Sequence, residues 1–516
     1  MIHINFFKLI VSLACFCFSS LSHSQQLINI AIDKELNPPL MGYNSDMSNT
    51  PKWSNTKFAN ALNELNTNTL RYPGGSNSLY WDWETGWTIS YQQLIPFLEK
   101  YQIKNNNKLI TSVLELEHIA KKNRAKNSFW RQIYRYNAKT PKYNTIDEFA
   151  KGIKATQTKA VFTLNVITSY LEKELKMLRK AKQVGIDIQY IELGNEIYAN
   201  NLLTAAAYPS VDNYIDTCIR WSEAIWKEFP NAHIGIVGGD KNKRTRHWNE
   251  ELSTALKKHF PKNKHANFHY ILHYYSYFKH PIYPFETDKG YKQLVAFPKM
   301  DLQKVLKNTQ WKNTSSFNTW VTEYNIIEQK PYRINNKWIH GLIVASQIDQ
   351  LIQQTRTDMF HFHSIGAESF PVFAALQLMN KDQTYLTPTT SGIVTATWNK
   401  FTQEAVKMYS TTNNYNEWDI TYSKKSSDLP NNPKNEKTIS FIPVHAYLSY
   451  DKNENAKLLV VNLTSNKLKI DVNTLLKSGE ISQYYALPNE PDFKTKIIDY
   501  DGLVEISPYS LNLLEE

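Results

Sequence analysis

Seven times between residues 57 and 362, a stretch with apolar residues at helical spacing runs into a short apolar strand. The pairs are 57–65 with 69–72, 149–155 with 160–164, 171–183 with 188–193, 218–229 with 234–237, 252–259 with 268–272, 302–306 with 320–322 and 343–354 with 359–362. One more strand at 40–43, after the break at Asn37-Pro38-Pro39, brings the strands to eight. A parallel strand has to be carried back to its starting edge by a crossover, and a helix is the usual one. Eight such units predict an α/β fold, a (β/α)8 TIM barrel. The rival is a doubly wound sheet. No Gly-rich nucleotide turn of the right spacing follows any of these strands, which counts against it.

From about Trp398 the pattern changes to short alternating segments at 438–442, 456–463 and 468–472, parted by polar turns such as 426–437. That is the pattern of a β-sandwich, and the alternating stretch 27–32 can pair into it. The expected organisation is a signal segment over 1–24, a first sandwich strand over 25–35, a catalytic barrel over 36–392 and an accessory β-sandwich over 393–516. The leader has Lys8, an apolar run over 9–21 and Ser22-His23-Ser24, the parts of a secretory signal too short to span a bilayer. Export is expected, to the periplasm, the cell surface or the medium. Cys15 and Cys17 lie in that leader, and Ser12-Leu13-Ala14-Cys15 distantly resembles a lipoprotein processing site. A membrane link is expected only if the chain is lipidated. Cleavage leaves Cys218 alone, so neither an internal disulfide nor a cysteine-bound zinc is expected.

Of the 516 residues 42% are hydrophobic, which rules out a disordered chain. The net charge of +11 comes from scattered Lys and Arg with short clusters at 121–126 and 241–246, not from one stripe. A nucleic-acid partner is therefore not expected, although a nuclease is the reading that the basicity leaves open. An anionic polysaccharide suits the same surface. The 31 Tyr, 23 Phe and 13 Trp offer flat faces with polar edges, which invites sugar stacking.

In a barrel the reacting groups belong at the C-terminal ends of the strands. Two carboxylates sit there: Glu196 just after the fourth strand and Glu323 after Trp320-Val321-Thr322, the seventh. These strands face one another across the mouth. Hydrolysis of a glycoside needs such a pair, one carboxyl protonating the leaving oxygen while the other attacks the anomeric carbon.

Gly194-Asn195-Glu196 and Thr322-Glu323-Tyr324-Asn325 resemble the acid/base and nucleophile motifs of clan A glycoside hydrolases. The pattern is most similar to family 51, the α-L-arabinofuranosidases, with families 79 and 39 near it. Leu70-Arg71-Tyr72-Pro73-Gly74-Gly75 followed by Trp81-x-Trp83 resembles the segment after the second strand of family 51, and His273-Tyr274-Tyr275 its His-x-Tyr. The stretch Ile506 to Asn512 is similar to the clan's last sandwich strand. Thr322 departs from the pattern, standing where family 51 usually has an acidic residue. The resemblance implies a retaining O-glycosidase without a cofactor, acting on plant or algal polysaccharide or its oligosaccharides.

The residues support the same roles. Glu196, as general acid/base, needs a raised pKa, which a partly apolar strand end beside a second carboxylate supplies. Glu323 must stay ionised to attack, and Arg71 is its expected charge partner, with Tyr275 donating to the same carboxylate. Asn195 is expected to bond the hydroxyl beside the reacting carbon, and His273 to bond substrate or Glu323. Trp81 and Trp83, with Trp87 near them, either stack on sugar rings or form a local cluster that pins their loop. Glu192 is a candidate behind the first layer. His361 and His363 have the spacing of a metal pair but lack a third ligand, so no metal is expected. A carbohydrate-binding protein that has lost activity on the same scaffold is the alternative function.

Overall fold

The computed structural model describes residues 27–45, 50–89, 91–103, 144–200, 202–239, 247–278, 285–309, 311, 317–328, 333–366, 374–378, 386–423 and 436–516. The expected leader with Cys15 and Cys17, and the basic clusters 121–126 and 241–246, lie outside the described residues.

Eight parallel strands close into a barrel: Leu40–Asn44, Thr69–Tyr72, Lys159–Thr163, Tyr190–Leu193, His233–Val237, Phe268–Phe278, Asn318–Glu328 and Thr357–His363, called the first to eighth barrel strands below. They fall where the sequence predicts them. The sixth and seventh are longer than expected, 11 residues each. Between the strands run helices such as Thr56–Glu64, Ile146–Thr156, Leu171–Gln183 and Val211–Glu228. Their starts are set locally. The Asn55 side chain accepts from the backbone N–H of Lys57 and Phe58, while Thr145, Thr287 and Thr389 cap three further helices in the same way.

Two helices differ from expectation. The stretch 302–306 is only the end of the 21-residue helix Asp288–Asn308, because Pro298 inside it reads as a break in sequence. The helix Thr390–Thr402 spans the expected boundary at 392 and packs on the first barrel strand, where Thr395 Oγ1 lies 2.9 Å from the Tyr43 hydroxyl. Buried on nearly all sides, with Thr390, Ser391, Thr395, Thr397 and Asn399 buried among its apolar residues, it has no readable apolar stripe.

The second unit is a mainly antiparallel assembly of nine strands. Strand Leu27–Leu36 lies in it between Lys407–Asn413, antiparallel, and Leu468–Asp471, parallel: residues 27–29 pair with the latter and 30–36 with the former, with a register shift between Ile32 and Lys34. Its core is separate from the barrel's and includes Ile28, Leu458, Val460, Ile470 and Leu514. The whole is a TIM barrel with an accessory β-sandwich. Among the described residues no helix is long and apolar enough to cross a membrane.

Inside the barrel Trp320 packs with Val161 and Met359 and stacks on His269, ring centroids 4.5 Å apart. Gly235 makes room for it, since a Cβ there would lie 2.8 Å from the indole. Trp320→Ala is expected to cost about 3–5 kcal/mol of unfolding free energy, read from urea denaturation.

Candidate active site

The fourth strand ends in a sharp turn, with Gly194 at φ 92° and Glu196 at φ 43°. A side chain at Gly194 would press within 2.8 Å of Ile197 and Val166, and the positive φ favours glycine for the same reason, the missing Cβ. The turn brings Glu196 to the mouth. There Oε1 accepts a hydrogen bond from the Tyr198 hydroxyl at 3.0 Å and lies 3.1 Å from His273 Nδ1.

Glu323 is more enclosed, 5% exposed, and is held from several sides. Arg71 Nη1 donates to Oε1 at 2.7 Å and Asn44 Nδ2 to the same oxygen at 3.1 Å. The Tyr275 hydroxyl donates to Oε2 at 2.6 Å. Burial works to raise the pKa of this carboxyl. The nearby His273, His363 and Arg71, with the Tyr275 hydroxyl, outweigh it and hold the group well below the usual carboxylate range. Burial and the adjacent Glu323 charge in turn keep Tyr275 a protonated donor.

Arg71, fully buried, ties the second, fourth and seventh strands together. Its Nε donates to Glu192 Oε2 at 2.8 Å and its Nη2 to Asn195 Oδ1 at 2.8 Å. Glu192 also accepts from Thr163 Oγ1 at 3.0 Å. His273 lies between the two carboxylates, with Nδ1 3.1 Å from Glu196 Oε1 and 3.6 Å from Glu323 Oε2, and Nε2 3.3 Å from Thr322 Oγ1. Burial disfavours charge on that ring, but Glu323 and Glu196 outweigh it and raise its pKa. Thr322, which breaks the sequence pattern, therefore has a partner here.

Arg71, Glu192, Asn195, Glu196, His273, Tyr275 and Glu323 are thus brought together. Trp81 and Trp83 are not part of this cluster. Both are buried, and their indole N–H groups bond the Tyr72 hydroxyl at 3.1 Å and the Lys173 carbonyl at 3.0 Å. With Trp87, whose ring lies 6.3 Å from that of Trp81, they pin their own loop, so the packing alternative describes their placement better than sugar stacking. His361 and His363 part company. His361 Nε2 lies 2.9 Å from Thr69 Oγ1 inside the barrel, and burial, with the Arg71 charge, holds its pKa well below the ordinary value. His363 Nδ1 lies 2.8 Å from Asn44 Nδ2.

Among the described residues, Glu196, His273 and Glu323 form the set that could hold a metal ion, their ligand atoms lying within 4.8 Å of one another. His273 Nδ1 already lies 3.1 Å from Glu196 Oε1 and 3.6 Å from Glu323 Oε2. Sequence reasoning does not find Asn44 or Tyr198, and it reads His363 only as half of a metal pair. Asn44 and His363 are polar strand ends beside Arg71 and each other in register, a signal that was available. Tyr198 depends on the shape of the turn, which sequence does not give.

No family model and no curated protein matches this sequence. Solved structures do match its fold. A family 51 α-L-arabinofuranosidase from Thermotoga petrophila RKU-1 superposes with a TM-score of 0.60 at 13% identity, covering 95% of this chain and 99% of that one. A family 51 arabinofuranosidase from Xanthomonas axonopodis pv. citri gives 0.61 at 14% identity, with 95% and 99% covered. A 4-O-α-L-rhamnosyl-β-D-glucuronidase from Fusarium oxysporum 12S gives 0.57 at 10% identity, with 95% and 100% covered. In fold, as in its motifs, the chain resembles clan A glycoside hydrolases of the family 51 kind.

Proposed function

We propose that the chain is an exported retaining glycoside hydrolase that cleaves O-glycosidic bonds in plant or algal polysaccharide or its oligosaccharides. One observation carries the reading: carboxylate oxygens of Glu196 and Glu323 come within 4.8 Å. Retaining enzymes place their two carboxyls about 5–5.5 Å apart, and inverting ones about 6.5–9.5 Å. A Glu323 oxygen attacks the anomeric carbon, and the glycosidic C–O bond breaks onto the leaving oxygen as that oxygen takes the Glu196 proton. Water then gives a proton to Glu196 while its oxygen attacks the same carbon, and Glu323 leaves as carboxylate.

The surroundings fit these roles. The donors on Glu323 stabilise its ionised form before attack and after release. Arg71 fixes the Asn195 amide through Oδ1, while Asn195 Nδ2 is buried without a hydrogen-bond partner among the described residues and is placed here on the hydroxyl beside the anomeric carbon. The net charge of +11 favours an acidic or sulfated target. Oligosaccharides and polysaccharides of neutral, uronic and sulfated type form the screen.

The test is azide rescue on an activated aryl glycoside of the sugar that the wild type cleaves, whose leaving group departs without a proton from Glu196. For Glu196→Ala, azide is expected to restore turnover and give a glycosyl azide of the substrate's own anomeric configuration. For Glu323→Gly it is expected to give the opposite anomer. Hydrolysis that survives both substitutions would reject the assignment, and a chain that binds glycans but cleaves none fits the carbohydrate-binding alternative.

A further inference from the structure

We propose that Gln347, on the helix Trp338–Gln354 behind the sheet, is a positioning residue for the reaction: it clamps the sixth and seventh barrel strands where Tyr275 and Glu323 stand, and so keeps the Tyr275 hydroxyl on the Glu323 carboxylate. The proposal rests on the glycosidase reading and adds to it a residue that touches neither substrate nor reacting atoms.

The need for a clamp comes from the strands. The seventh pairs with the eighth only as far as Tyr324 opposite Phe362, but with the sixth as far as Glu328 opposite Phe278. Past Tyr324 it has strand pairing on one side alone among the described residues, and side chains take over the holding. Asn325 Nδ2 donates to the His363 carbonyl, and Gln347 Nε2 donates to the Asn325 carbonyl at 2.9 Å. The same Gln347 nitrogen lies 3.3 Å from Ser276 Oγ and 3.5 Å from the Tyr274 carbonyl. These three contacts surround one position. Tyr274 and Ser276 flank Tyr275 in the chain, and Asn325, two residues beyond Glu323, is its register partner.

Gln347 is fully buried, and chemistry fixes which way its amide turns. Two of the three atoms it faces are carbonyl oxygens, which only accept, so the NH2 end must point to them. Oε1 has no hydrogen-bond partner among the described residues, as expected of a side chain held by its donor end alone. Helix residues two apart point to nearly opposite sides, and Asp349 faces the sandwich. Its Oδ1 accepts from the Tyr447 hydroxyl at 2.5 Å and lies 3.1 Å from His445 Nδ1. The helix is thus anchored on its far side, and Gln347 holds the strands from a fixed support. Tyr275 donates to Glu323 Oε2 at 2.6 Å and helps keep that carboxyl ionised, so a displaced Tyr275 is felt at the nucleophile.

The experiment is a double-mutant cycle of Gln347→Met and Tyr275→Phe, read as kcat/KM against pH on an activated aryl glycoside of the sugar that the wild type cleaves. Met keeps the length of Gln and removes its donor. Gln347→Met alone is expected to lower kcat/KM about tenfold and to move its acid limb to higher pH by about 0.5–1, because a Glu323 that loses part of its Tyr275 bond protonates sooner. Added to Tyr275→Phe, which already lacks that bond, the same substitution should change kcat/KM by less than about twofold and leave the limb in place. A residue that only stabilises the fold lowers both backgrounds alike and moves no limb. That result overturns the proposal, as does a Gln347→Met or Tyr275→Phe chain that matches the wild type. Should Gln347→Met fail to fold, Gln347→Asn, which keeps the amide but ends one methylene short of the strands, is judged by the same criteria. If the wild type cleaves the glycoside, such a result removes the role of Gln347 alone. A wild type that cleaves no glycoside removes the glycosidase reading and the positioning role with it.

Discussion

Glu323→Gln is expected to lower kcat on any responsive glycoside by about 10⁴-fold or more while the chain still folds, with a melting temperature below wild type because the stabilisation of the ionised carboxylate is lost. Gln keeps the size and one acceptor oxygen of Glu323, so the bonds from Arg71 and Asn44 to Oε1 persist. What disappears is the anionic oxygen that attacks. The loss belongs to chemistry and not to binding, so KM should change far less than kcat. Melting followed by circular dichroism, beside steady-state kinetics, separates the two. A variant that keeps more than about a tenth of wild-type kcat would exclude Glu323 as nucleophile.

Arg71→Met should act on both stability and pH dependence. The guanidinium is fully buried between Glu192, itself 0% exposed, and Glu323. Removing one partner of a buried ion pair leaves the others charged in a poor solvent, at a cost of about 3–5 kcal/mol in unfolding free energy. Arg71 is also one of the groups holding the Glu323 pKa down. A carboxyl whose folded pKa is depressed contributes stability above its unfolded value, ordinarily about 4.5, and that contribution is lost as pH falls toward the folded pKa. In Arg71→Met the depression is smaller, so less is lost on acidification. The stability gap between wild type and variant should therefore narrow below about pH 4.5. The acid limb of kcat/KM should move to higher pH in the variant, because a less stabilised carboxylate protonates sooner. Denaturation curves at several pH values and a pH–rate profile measure the two effects. A gap that widens in acid, or an acid limb that stays in place, would contradict this account of Arg71.

The barrel was legible because its signal is periodic. Each strand is a short apolar run, each helix has a stripe, and their alternation counts to eight. Legibility failed where burial erased the stripe, as in Thr390–Thr402, or where Pro298 sat inside a helix that tertiary packing carries through. At the site, Glu196, Glu323, Arg71 and Asn195 could be read because each ends a predicted strand. The tryptophan loop could be read only as two options. Burial decides between them, and a sequence of indoles does not report which way their faces turn. Tyr198 and the partnership of Asn44 with His363 needed the turn geometry and the strand register. The long sixth and seventh strands escaped because polar residues at a barrel mouth interrupt the apolar run while the backbone pairing continues past them.

The central claim is that Glu323 becomes covalently bonded to the sugar during turnover. A 2-deoxy-2-fluoro glycosyl fluoride of the cleaved sugar slows the release step, so the intermediate accumulates. The account predicts one label per chain, on the peptide that contains Glu323, with inactivation following labelling and activity returning as the label is hydrolysed. A label on any other residue, or turnover that yields the inverted anomer with no labelled protein, would contradict it.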